Sequence, residues 1–186
     1  ENYPECKFKL GNCLKSIEFD SNSFTHITCF YFTIYYIKDK QQFFENCFNW
    51  LKPGGILVLH LVDVTKFDPI IPVANPFVII SPQNYADERI TKSEVKFDKL
   101  NYKSNFELDK NADIHTKLDS PNAIFKETIK IKDTNTVRVN EHELYMSSQK
   151  HILNIARNCG FSLLSIEKMM SIQYEYNYLY TLSKPK

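Results

Sequence analysis

The feature that most constrains the fold is a joint between a helix and a strand, Trp50-Leu51-Lys52-Pro53-Gly54-Gly55. Before it, Asp39 and Gln42 form a capping pair for a helix whose apolar residues recur on one face. After it, Ile56 to Val62 is a nearly continuous apolar run, which is typical of a buried strand in a parallel sheet. Because Pro53 ends a helix and two glycines permit a tight turn, the joint predicts an α/β sheet.

A second strand is predicted upstream of this helix. Phe24 to Phe32 is rich in β-branched and aromatic residues, which favour a strand, and its apolar content indicates burial. Strand, helix and strand then follow one another with short joints, which favours a right-handed crossover and parallel pairing. Farther upstream, Lys7 to Leu10 alternates between polar and apolar residues and ends at Gly11-Asn12, so we expect an earlier strand and a turn.

The C-terminal part predicts a helix and a β-hairpin. Ser147 or Ser148 caps an amphipathic segment that ends at Gly160, where a left-handed turn is typical. The run Phe161 to Ile166 and the alternating tyrosines from Tyr174 to Tyr180 then form two strands, which we expect to pair with each other.

The segment between these parts, from Val64 to about Tyr145, is predicted to be an insertion. It shows no long helical periodicity and is interrupted by five prolines, Pro69, Pro72, Pro76, Pro82 and Pro121. Strands are predicted at Lys96–Leu108, Phe125–Lys132 and Thr136–Val139, so we expect a small antiparallel meander. We therefore predict one domain over residues 1–186, in which residues 64–145 form an inserted β-rich lid or substrate subdomain.

Charge and cysteine content exclude several classes of partner. The 186-residue chain has 23 basic and 22 acidic residues, a net charge of +1, which gives no field that would attract nucleic acid or an anionic membrane. Its five cysteines are odd in number and never spaced as C-x-x-C, which argues against a disulfide framework and a zinc site and favours a reducing, cytoplasmic compartment. We therefore expect small-molecule partners, with no metal, no nucleic acid and no membrane.

Together, these segments resemble the second half of a class I S-adenosylmethionine-dependent methyltransferase. The matching segments are Lys9-Leu10-Gly11-Asn12, Ser23-Phe24-Thr25-His26-Ile27, the joint from Trp50 to Gly55, and Asn158-Cys159-Gly160-Phe161. In that family they correspond to the turn after the third strand, the fourth strand, the start of the fifth strand and the start of the sixth. The resemblance implies a Rossmann-like methyltransferase sheet, incomplete at its N-terminus, with an antiparallel β insertion and a C-terminal antiparallel hairpin.

Two departures from the family pattern concern the cofactor. The glycine-rich loop after the first strand and the acidic residue at the end of the second strand have no counterpart here, since none of the four glycines is spaced as G-x-G. The chain begins at Glu1 without a methionine, so we expect an upstream part that carries them. Asn12 stands where relatives usually have Asp for the adenine amino group, and its amide oxygen can still accept that hydrogen bond.

The resemblance implies S-adenosylmethionine as the cofactor, in a site at the carboxyl ends of the strands, where open parallel sheets bind their ligands. Asn12 and Cys13 would face adenine, and the stretch from Thr28 to Tyr31 would line the methionine part and the methyl group. Aromatic residues suit that position because cations bind over aromatic rings. The implied cofactor-binding residues are Gly11, Asn12, Cys13, Thr28, Cys29, Phe30 and Tyr31.

Candidates for acceptor binding and proton transfer lie at the same edge or in the insertion. The predicted acceptor contacts are Tyr35, Tyr36, Asp63 and Arg138. His60 is the predicted catalytic base if the acceptor is a hydroxyl. Each also has a structural interpretation, because a histidine in an apolar strand is commonly a hydrogen-bonded core residue and an aromatic run can be core packing. Asp63 can cap a turn. Arg138 and Glu141-His142-Glu143 could reach the substrate from the inserted lid, but charges at strand ends are more commonly solvated.

Two functions are consistent with the sequence. The first is methyl transfer from S-adenosylmethionine to an oxygen or nitrogen atom of a small molecule, with the insertion closing over the acceptor. The alternative is a non-enzymatic binding or scaffold module that has the methyltransferase fold and lacks a functional cofactor loop. Nucleic-acid methylation is disfavoured by the neutral charge and the absence of a basic stripe.

Overall fold

The computed structural model describes residues 5–69, 82–172 and 174–186. Within them the strands are β1 (Phe24–Cys29), β2 (Leu51–Val62), β3 (Lys92–Lys96), β4 (Leu100–Leu108), β5 (Ala123–Ile131), β6 (Val137–Leu144), β7 (Ser162–Lys168) and β8 (Asn177–Ser183). The α-helices are α1 (Thr33–Tyr36), α2 (Lys40–Trp50) and α3 (Gln149–Asn158), and short 3-10 helices cover Ser16–Glu18, Pro82–Tyr85 and Met169–Ile172. Among the described residues, no helix is both long and apolar enough to cross a membrane.

The first sheet has the strand order β1-β2-β8-β7. Strands β1 and β2 are parallel, with Ile27 opposite Leu57 and Cys29 opposite Leu59, whereas β8 runs antiparallel to both β2 and β7. The predicted parallel pair and the C-terminal hairpin are therefore confirmed. Strand β1 is an edge strand, since β2 is its only sheet partner in the described part of the chain.

Helix α2 is capped at the predicted residue. The carboxylate of Asp39 accepts a hydrogen bond from the backbone N–H of Gln42 at 3.0 Å. The Gln42 side chain does not bond back to the cap, because it donates to Asn46 at 3.0 Å, one turn along the helix. The cap therefore rests on the aspartate alone.

The joint after α2 is a tight turn within the first residues of β2, where the register with β1 shifts, and it requires both glycines. The helix ends at Trp50 and β2 begins at the next residue. Gly54 has a φ of 77°, which residues with a side chain rarely adopt. A Cβ on Gly55 would lie 2.8 Å from a backbone carbonyl oxygen of the same turn, so a side chain does not fit there. The prediction made from this joint is confirmed.

The second sheet is an antiparallel meander in the order β3-β4-β5-β6. The predicted strand at 96–108 is divided in two by a turn at residues 97–99, so its first residue ends β3 and the remainder forms β4. The sequence analysis does not predict β3 because Lys92–Lys96 contains a single apolar residue. Side chains alternate along these strands, so one face is turned to the first sheet and the other to solvent.

One hydrophobic core joins the two sheets. Leu59 and Leu61 of β2 are fully buried, and Phe106 of β4 belongs to the same cluster of buried side chains. The backbone N–H after β6, that of Tyr145, donates to the carbonyl oxygen of Tyr35 at 2.7 Å. The meander is thus attached to α1, directly beyond the carboxyl end of β1.

Three predicted segments differ from the structure. Lys7–Leu10 is not a strand: Phe8 and Leu10 are 88% and 103% exposed, and no strand of the described residues pairs with them. Strand β1 ends at Cys29 instead of Phe32, because the chain turns through a left-handed Tyr31 with a φ of 54°. Strand β8 begins only at Asn177, so the first two of the four alternating tyrosines precede it. Pro72 and Pro76 lie outside the described residues.

Candidate active site

The turn after β1 lies at the carboxyl end of the parallel pair. It holds Phe30 and Tyr31, whose large side chains are 43% and 71% exposed. The backbone N–H of Thr33 donates to the carbonyl oxygen of Phe30 at 3.4 Å, so the chain reverses here and continues into α1. Because open α/β sheets bind ligands at this edge, the turn is the first element of the candidate site.

A groove of about 380 Å³ lies beside β1, between this strand, helix α2 and the N-terminal segment. Apolar side chains of α2 form part of its wall, among them Phe43 and Trp50. Of the seven predicted cofactor-binding residues, the four that line it are Cys13, Thr28, Cys29 and Phe30. Gly11, Asn12 and Tyr31 are next to these in sequence and do not line the groove. The structure thus brings most of the predicted cofactor residues to one surface.

Glu18 holds the turn at Gly11 and Asn12. One carboxylate oxygen accepts a hydrogen bond from the backbone N–H of Asn12 at 3.2 Å, and the other pairs with Lys9 at 3.2 Å. A Cβ on Gly11 would lie 2.5 Å from that second oxygen, so the Glu18 side chain would have to shift to admit one. The Asn12 N–H, and next the Lys9 side chain, hold the pKa of Glu18 below its usual value. An ionised carboxylate therefore lies at the turn.

The sequence analysis missed Glu18 because no motif links it to this turn. It lies six residues beyond Asn12, at the end of a 3-10 helix, and its position follows only from how the segment folds back. The predicted residue Asn12 is engaged in its own turn, since its side-chain oxygen accepts the backbone N–H of Leu14 at 2.9 Å.

Two of the three thiols that line the groove, those of Cys13 and Cys29, belong to predicted cofactor contacts, and both are neutral. Burial raises the pKa of Cys13. Burial, and to a smaller extent the nearby Cys13, raises the pKa of Cys29 to about 12. Neither is a thiolate at neutral pH, so both residues act as small, uncharged wall groups and not as nucleophiles.

His60 is buried in β2 and bonded to the C-terminal hairpin. Its Nε2 lies 2.9 Å from Oδ1 of Asn177, whose amide nitrogen donates to the carbonyl oxygen of Glu175 at 2.7 Å. Since Oδ1 is the acceptor, the proton of the neutral ring is assigned to Nε2. Burial lowers the pKa of His60, and the bond to Asn177 opposes this only in part. Two aromatic rings lie near that of His60, Tyr31 at 6.2 Å and Phe32 at 6.3 Å between centroids.

Three of the predicted acceptor contacts are engaged elsewhere in the structure. Tyr35 is fully buried, and its hydroxyl accepts the backbone N–H of Val62 at 2.9 Å. Asp63 accepts the backbone N–H and the hydroxyl of Thr65 at 3.1 and 2.8 Å, so it caps the turn after β2. Arg138 is exposed near the start of β6 and donates to the Asn140 side chain at 3.0 Å. None of the three lines either hollow.

A second cavity, of about 180 Å³, lies between α1 and the inner face of the meander. Its walls are mainly aromatic and aliphatic, and its three ionisable lining groups are Tyr36, Glu127 and His142. The lining residues are Phe32, Tyr36, Phe67, Pro69, Phe106, Phe125, Glu127, His142 and Leu144. An apolar pocket with a few convergent polar groups is the usual form of a small-molecule site.

The polar groups of this cavity form one hydrogen-bonded chain. Tyr102 donates its hydroxyl proton to Oε1 of Glu127 at 2.6 Å. The other oxygen, Oε2, lies 3.3 Å from Nε2 of His142. The Tyr36 hydroxyl lies 3.0 Å from Nδ1 of the same histidine. Burial, and next the Glu127 charge, raises the pKa of Tyr36, so this phenol keeps its proton at neutral pH.

The groove and the cavity adjoin at the turn after β1. Phe30 and Thr33 line the groove, whereas Phe32, between them in sequence, lines the cavity. Tyr36, one turn of helix later, is the predicted acceptor contact that reaches the cavity. The turn at the carboxyl end of β1 therefore separates the groove, which four predicted cofactor residues line, from the second cavity, which Tyr36, Glu127 and His142 line.

Glu127 is the ionisable residue of this cavity to which the sequence analysis gives no site role, whereas His142 is named there only within a run of strand-end residues that could reach the substrate. The sequence of β6 contains a signal that predicts the orientation of His142. Because side chains alternate along a strand, His142 lies on the same face as Leu144, the apolar residue that ends the strand. That parity turns His142 inward and its neighbours Glu141 and Glu143 outward. The sequence does not predict that Glu127 of β5 is the partner of His142. That pairing depends on the register of the two strands, which places Phe125 opposite His142.

Comparison with known proteins finds similarity to one family. A family model described as a methyltransferase domain matches residues 1–59. No curated protein sequence gives a significant match to the chain.

Solved methyltransferase structures match nearly the whole chain at low sequence identity. An S-adenosylmethionine-dependent methyltransferase from Clostridium acetobutylicum is 14% identical, covering 96% of this chain and 64% of its own, with a TM-score of 0.65. The CcbJ methyltransferase from Streptomyces caelestis is 11% identical, covering 95% and 63%, with a TM-score of 0.66. An amino pentose methyltransferase of calicheamicin biosynthesis from Micromonospora echinaspora, solved with S-adenosylmethionine bound, is 12% identical, covering 94% and 63%, with a TM-score of 0.54. This chain thus spans a little under two thirds of the length of each.

Proposed function

We propose that this chain, which has the fold of the class I S-adenosylmethionine-dependent methyltransferases, is the acceptor-binding part of an enzyme that methylates an oxygen or nitrogen atom of a small molecule. The predicted family and fold are confirmed by the methyltransferase-domain match and by the solved structures. The acceptor, its binding residues and the position of the cofactor are our proposal.

The observation that supports this function best is the position of two hollows on either side of one turn. Phe30 and Thr33 line one of them and Phe32 lines the other. Methyl transfer is an in-line displacement at carbon, so the donor and the acceptor must be held on opposite sides of one point. The turn after β1 offers that arrangement, and alignment of this kind contributes roughly 7 to 11 kcal/mol at best.

We place the cofactor in the groove beside β1, against the residues that the family resemblance implies. When bound, S-adenosylmethionine supplies an electrophilic methyl group on a sulfonium sulfur. Phe30 lines the groove and Tyr31 follows it in the turn at the end of the groove, so a sulfonium cation placed at this turn would meet both exposed rings. The neutral thiols of Cys13 and Cys29 leave the groove wall uncharged. Glu18 adds a carboxylate at the turn where a hydrogen-bond acceptor for the adenine amino group is expected. The residues present therefore fit this cofactor.

We place the acceptor in the second cavity, in contact with Tyr36. Its volume of about 180 Å³ is that of roughly six water molecules, which suits the reactive end of a small molecule. One of the similar structures is an amino pentose methyltransferase, which supports a small molecule as the class of acceptor. We assign structural roles to Tyr35, Asp63 and Arg138, because their polar groups are bonded elsewhere. The cytoplasmic location and the absence of nucleic-acid and membrane partners stay predictions.

Binding of S-adenosylhomocysteine to the full-length protein tests the cofactor site. We expect heat on calorimetric titration and a rise in melting temperature. Tyr31→Asn is expected to weaken binding about tenfold, through loss of a ring beside the sulfur. Asparagine is chosen because it tolerates the positive φ of this position. Tyr85→Asn is the matched control, since Tyr85 is 76% exposed and lines neither hollow.

Two outcomes would contradict this proposal. Titration without heat and without a thermal shift would exclude a cofactor site and favour the non-enzymatic module. Equal affinity in Tyr31→Asn and Tyr85→Asn would move the cofactor away from the turn after β1.

A further inference from the structure

For a neutral His142 ring, the hydrogen-bonded chain of the second cavity has one consistent set of proton positions. An ionised carboxylate only accepts hydrogen bonds, so Tyr102 donates to one oxygen of Glu127 and His142 Nε2–H donates to the other. With its proton on Nε2, the neutral imidazole presents an unprotonated Nδ1. The Tyr36 hydroxyl, 3.0 Å away, then donates to that nitrogen. All donors point toward Glu127, and Tyr36 is the end of the chain that opens to the cavity.

The surroundings fix each member in place. The ring of Phe125 stacks on the imidazole of His142, with centroids 6.0 Å apart and planes 29° apart, and the Tyr36 ring meets the imidazole edge-on at 5.7 Å. Glu127 is tied at both oxygens, so it cannot turn away from the histidine. The charged neighbours Glu141 and Lys126 pair with each other on the outer face, at 3.3 Å. Glu127 is thus the ionised group that the His142 ring contacts among the described residues.

We propose that Glu127, His142 and Tyr36 form a proton relay that removes the proton of a hydroxyl acceptor bound in this cavity. The inference rests on the proposed methyl transfer and names the group that acts as its base. Tyr36 Oη touches the acceptor, His142 receives the proton, and Glu127 is a positioning residue. The relay replaces His60 as the base, since His60 lines neither hollow and is bonded to Asn177.

The proposed step balances without a further reactant. As the acceptor oxygen bonds to the methyl carbon, the methyl–sulfur bond breaks and its electron pair stays on sulfur. The acceptor proton moves to Tyr36 Oη, whose own proton moves to Nδ1 of His142. The imidazolium that results is stabilised by the Glu127 carboxylate, and the partly exposed His142 returns its proton to water. Tyr36 stays neutral before and after the step, which agrees with its raised pKa.

A hydroxyl suits this cavity better than an ammonium group. Each oxygen of Glu127 already accepts a hydrogen bond, which leaves fewer of its lone pairs for an ammonium group. A neutral amine attacks a methyl group without a base, whereas a hydroxyl must lose its proton as it reacts. The apolar walls formed by Phe67, Phe106 and Leu144 indicate that the hydroxyl is carried on a ring-sized apolar body, as in a phenol.

The proton positions can be measured independently of activity. Long-range ¹H–¹⁵N correlation spectra of the full-length protein report which ring nitrogen of a histidine is protonated, and the signal that is lost in His142→Gln is that of His142. We expect the neutral form with the proton on Nε2. Glu127→Gln should shift the population toward Nδ1, and Glu141→Gln, on the outer face of the same sheet, should leave it unchanged. A wild-type His142 protonated on Nδ1 would overturn the relay.

Methyl transfer to defined probes tests its chemical role. The assay uses S-adenosylmethionine as the methyl donor and either 4-methylphenol or 4-methylbenzylamine as the acceptor. We expect Tyr36→Phe and His142→Gln to lower kcat for the phenol about 100-fold and to change kcat for the amine less than about threefold. Tyr85→Phe and Glu141→Gln are the matched controls. If Tyr36 and His142 only held α1 against β6, both variants would instead impair methylation of the two probes equally, mainly by raising KM.

The outcomes separate the relay from the function on which it rests. Phenol methylation that Tyr36→Phe leaves unchanged would overturn the relay alone, as would a wild-type protein that methylates only the amine. A wild-type protein that binds S-adenosylhomocysteine and methylates neither probe would overturn both the acceptor assignment and the relay.

Discussion

The first sheet and the meander differ in how they bury their strands. On β2, His60, Leu61 and Val62 are buried at consecutive positions, because both faces of this strand are covered. On β6, burial alternates, so Leu144 is buried whereas Val139 faces solvent. A strand covered on both sides must satisfy its polar groups within the core, as His60 does. A sheet with one open face can hold a histidine and a carboxylate at the border of a cavity, and the proposed proton relay uses such a pair on the meander.

The largest expected effect tests whether these two regions share one core. Phe44→Ala on α2 and Phe106→Ala on β4 each remove a buried ring and should each lower the free energy of unfolding by about 3 to 5 kcal/mol. Because both rings belong to one cluster, urea unfolding should show a single transition that both changes move. Leu164→Ala, at an exposed position of β7, is the control. A separate unfolding transition that only Phe106→Ala shifts would show that the first sheet and the meander are two independent folding units.

Lys40 joins the two regions and makes their contact pH-dependent. Its buried Nζ donates to the carbonyl oxygens of Ile37 at 2.8 Å and Tyr145 at 2.9 Å, and burial lowers its pKa from 10.5 to about 8. Between pH 8 and 10.5 the folded state therefore binds fewer protons than the unfolded state. Stability should thus rise with pH across this window, by on the order of 3 kcal/mol.

The Lys40 contribution is measured against Lys40→Met. The difference in free energy of unfolding between wild type and variant, from urea titrations at several pH values, removes the effect of the tyrosines that titrate near pH ~10. The wild type should gain on the variant as the pH rises. A difference that is constant with pH would show that Lys40 has its ordinary pKa in the folded protein.

The histidines of the two sheets provide an intermediate test. His60→Leu leaves the buried side-chain oxygen of Asn177 without its partner and should lower the free energy of unfolding by about 1 to 3 kcal/mol. His142→Leu should cost less than about 1 kcal/mol, because Glu127 keeps its bond to Tyr102 and is partly reached by water. Chemical denaturation of both variants measures this directly. Equal losses would mean that the meander buries its polar groups as tightly as the first sheet does.

The smallest expected effect lies on the outer face of the meander. Lys126 and Glu141 pair at 3.3 Å with both side chains exposed. Glu141→Gln should therefore change the free energy of unfolding by less than about 0.5 kcal/mol, and the change should vanish in high salt. A loss above 1 kcal/mol in denaturation experiments would indicate that this face is covered in solution.

The parts of the fold that the sequence predicts are those whose signals are local. The caps at Asp39 and Ser148 and the tight turn at Gly54 each depend on residues within a few positions of one another. The alternation at Lys7–Leu10 is equally local and yet forms no strand, because a strand also needs a neighbour that alternation cannot supply. The short polar β3 fails for the opposite reason, since its partner β4 defines it.

The candidate site divides along the same line. The residues at the end of β1, such as Phe30, follow from the rule that ligands bind at the carboxyl ends of parallel strands. The chain from Tyr36 through His142 to Glu127 spans more than a hundred positions of the sequence. It depends on the register of β5 and β6 and on how the meander lies against α1, neither of which a single sequence specifies.

Strand β1 has one consequence for handling the protein. Along the edge opposite β2 its backbone groups have no sheet partner in the described part of the chain, and Phe24, Ile27 and Phe30 flank that edge with apolar surface. An open, apolar edge is a template on which a strand of another molecule can add. We therefore expect the 186-residue chain, when it is prepared by itself at high concentration, to aggregate through β1. His26 faces the groove at this edge, and His26→Lys should raise the solubility of the chain.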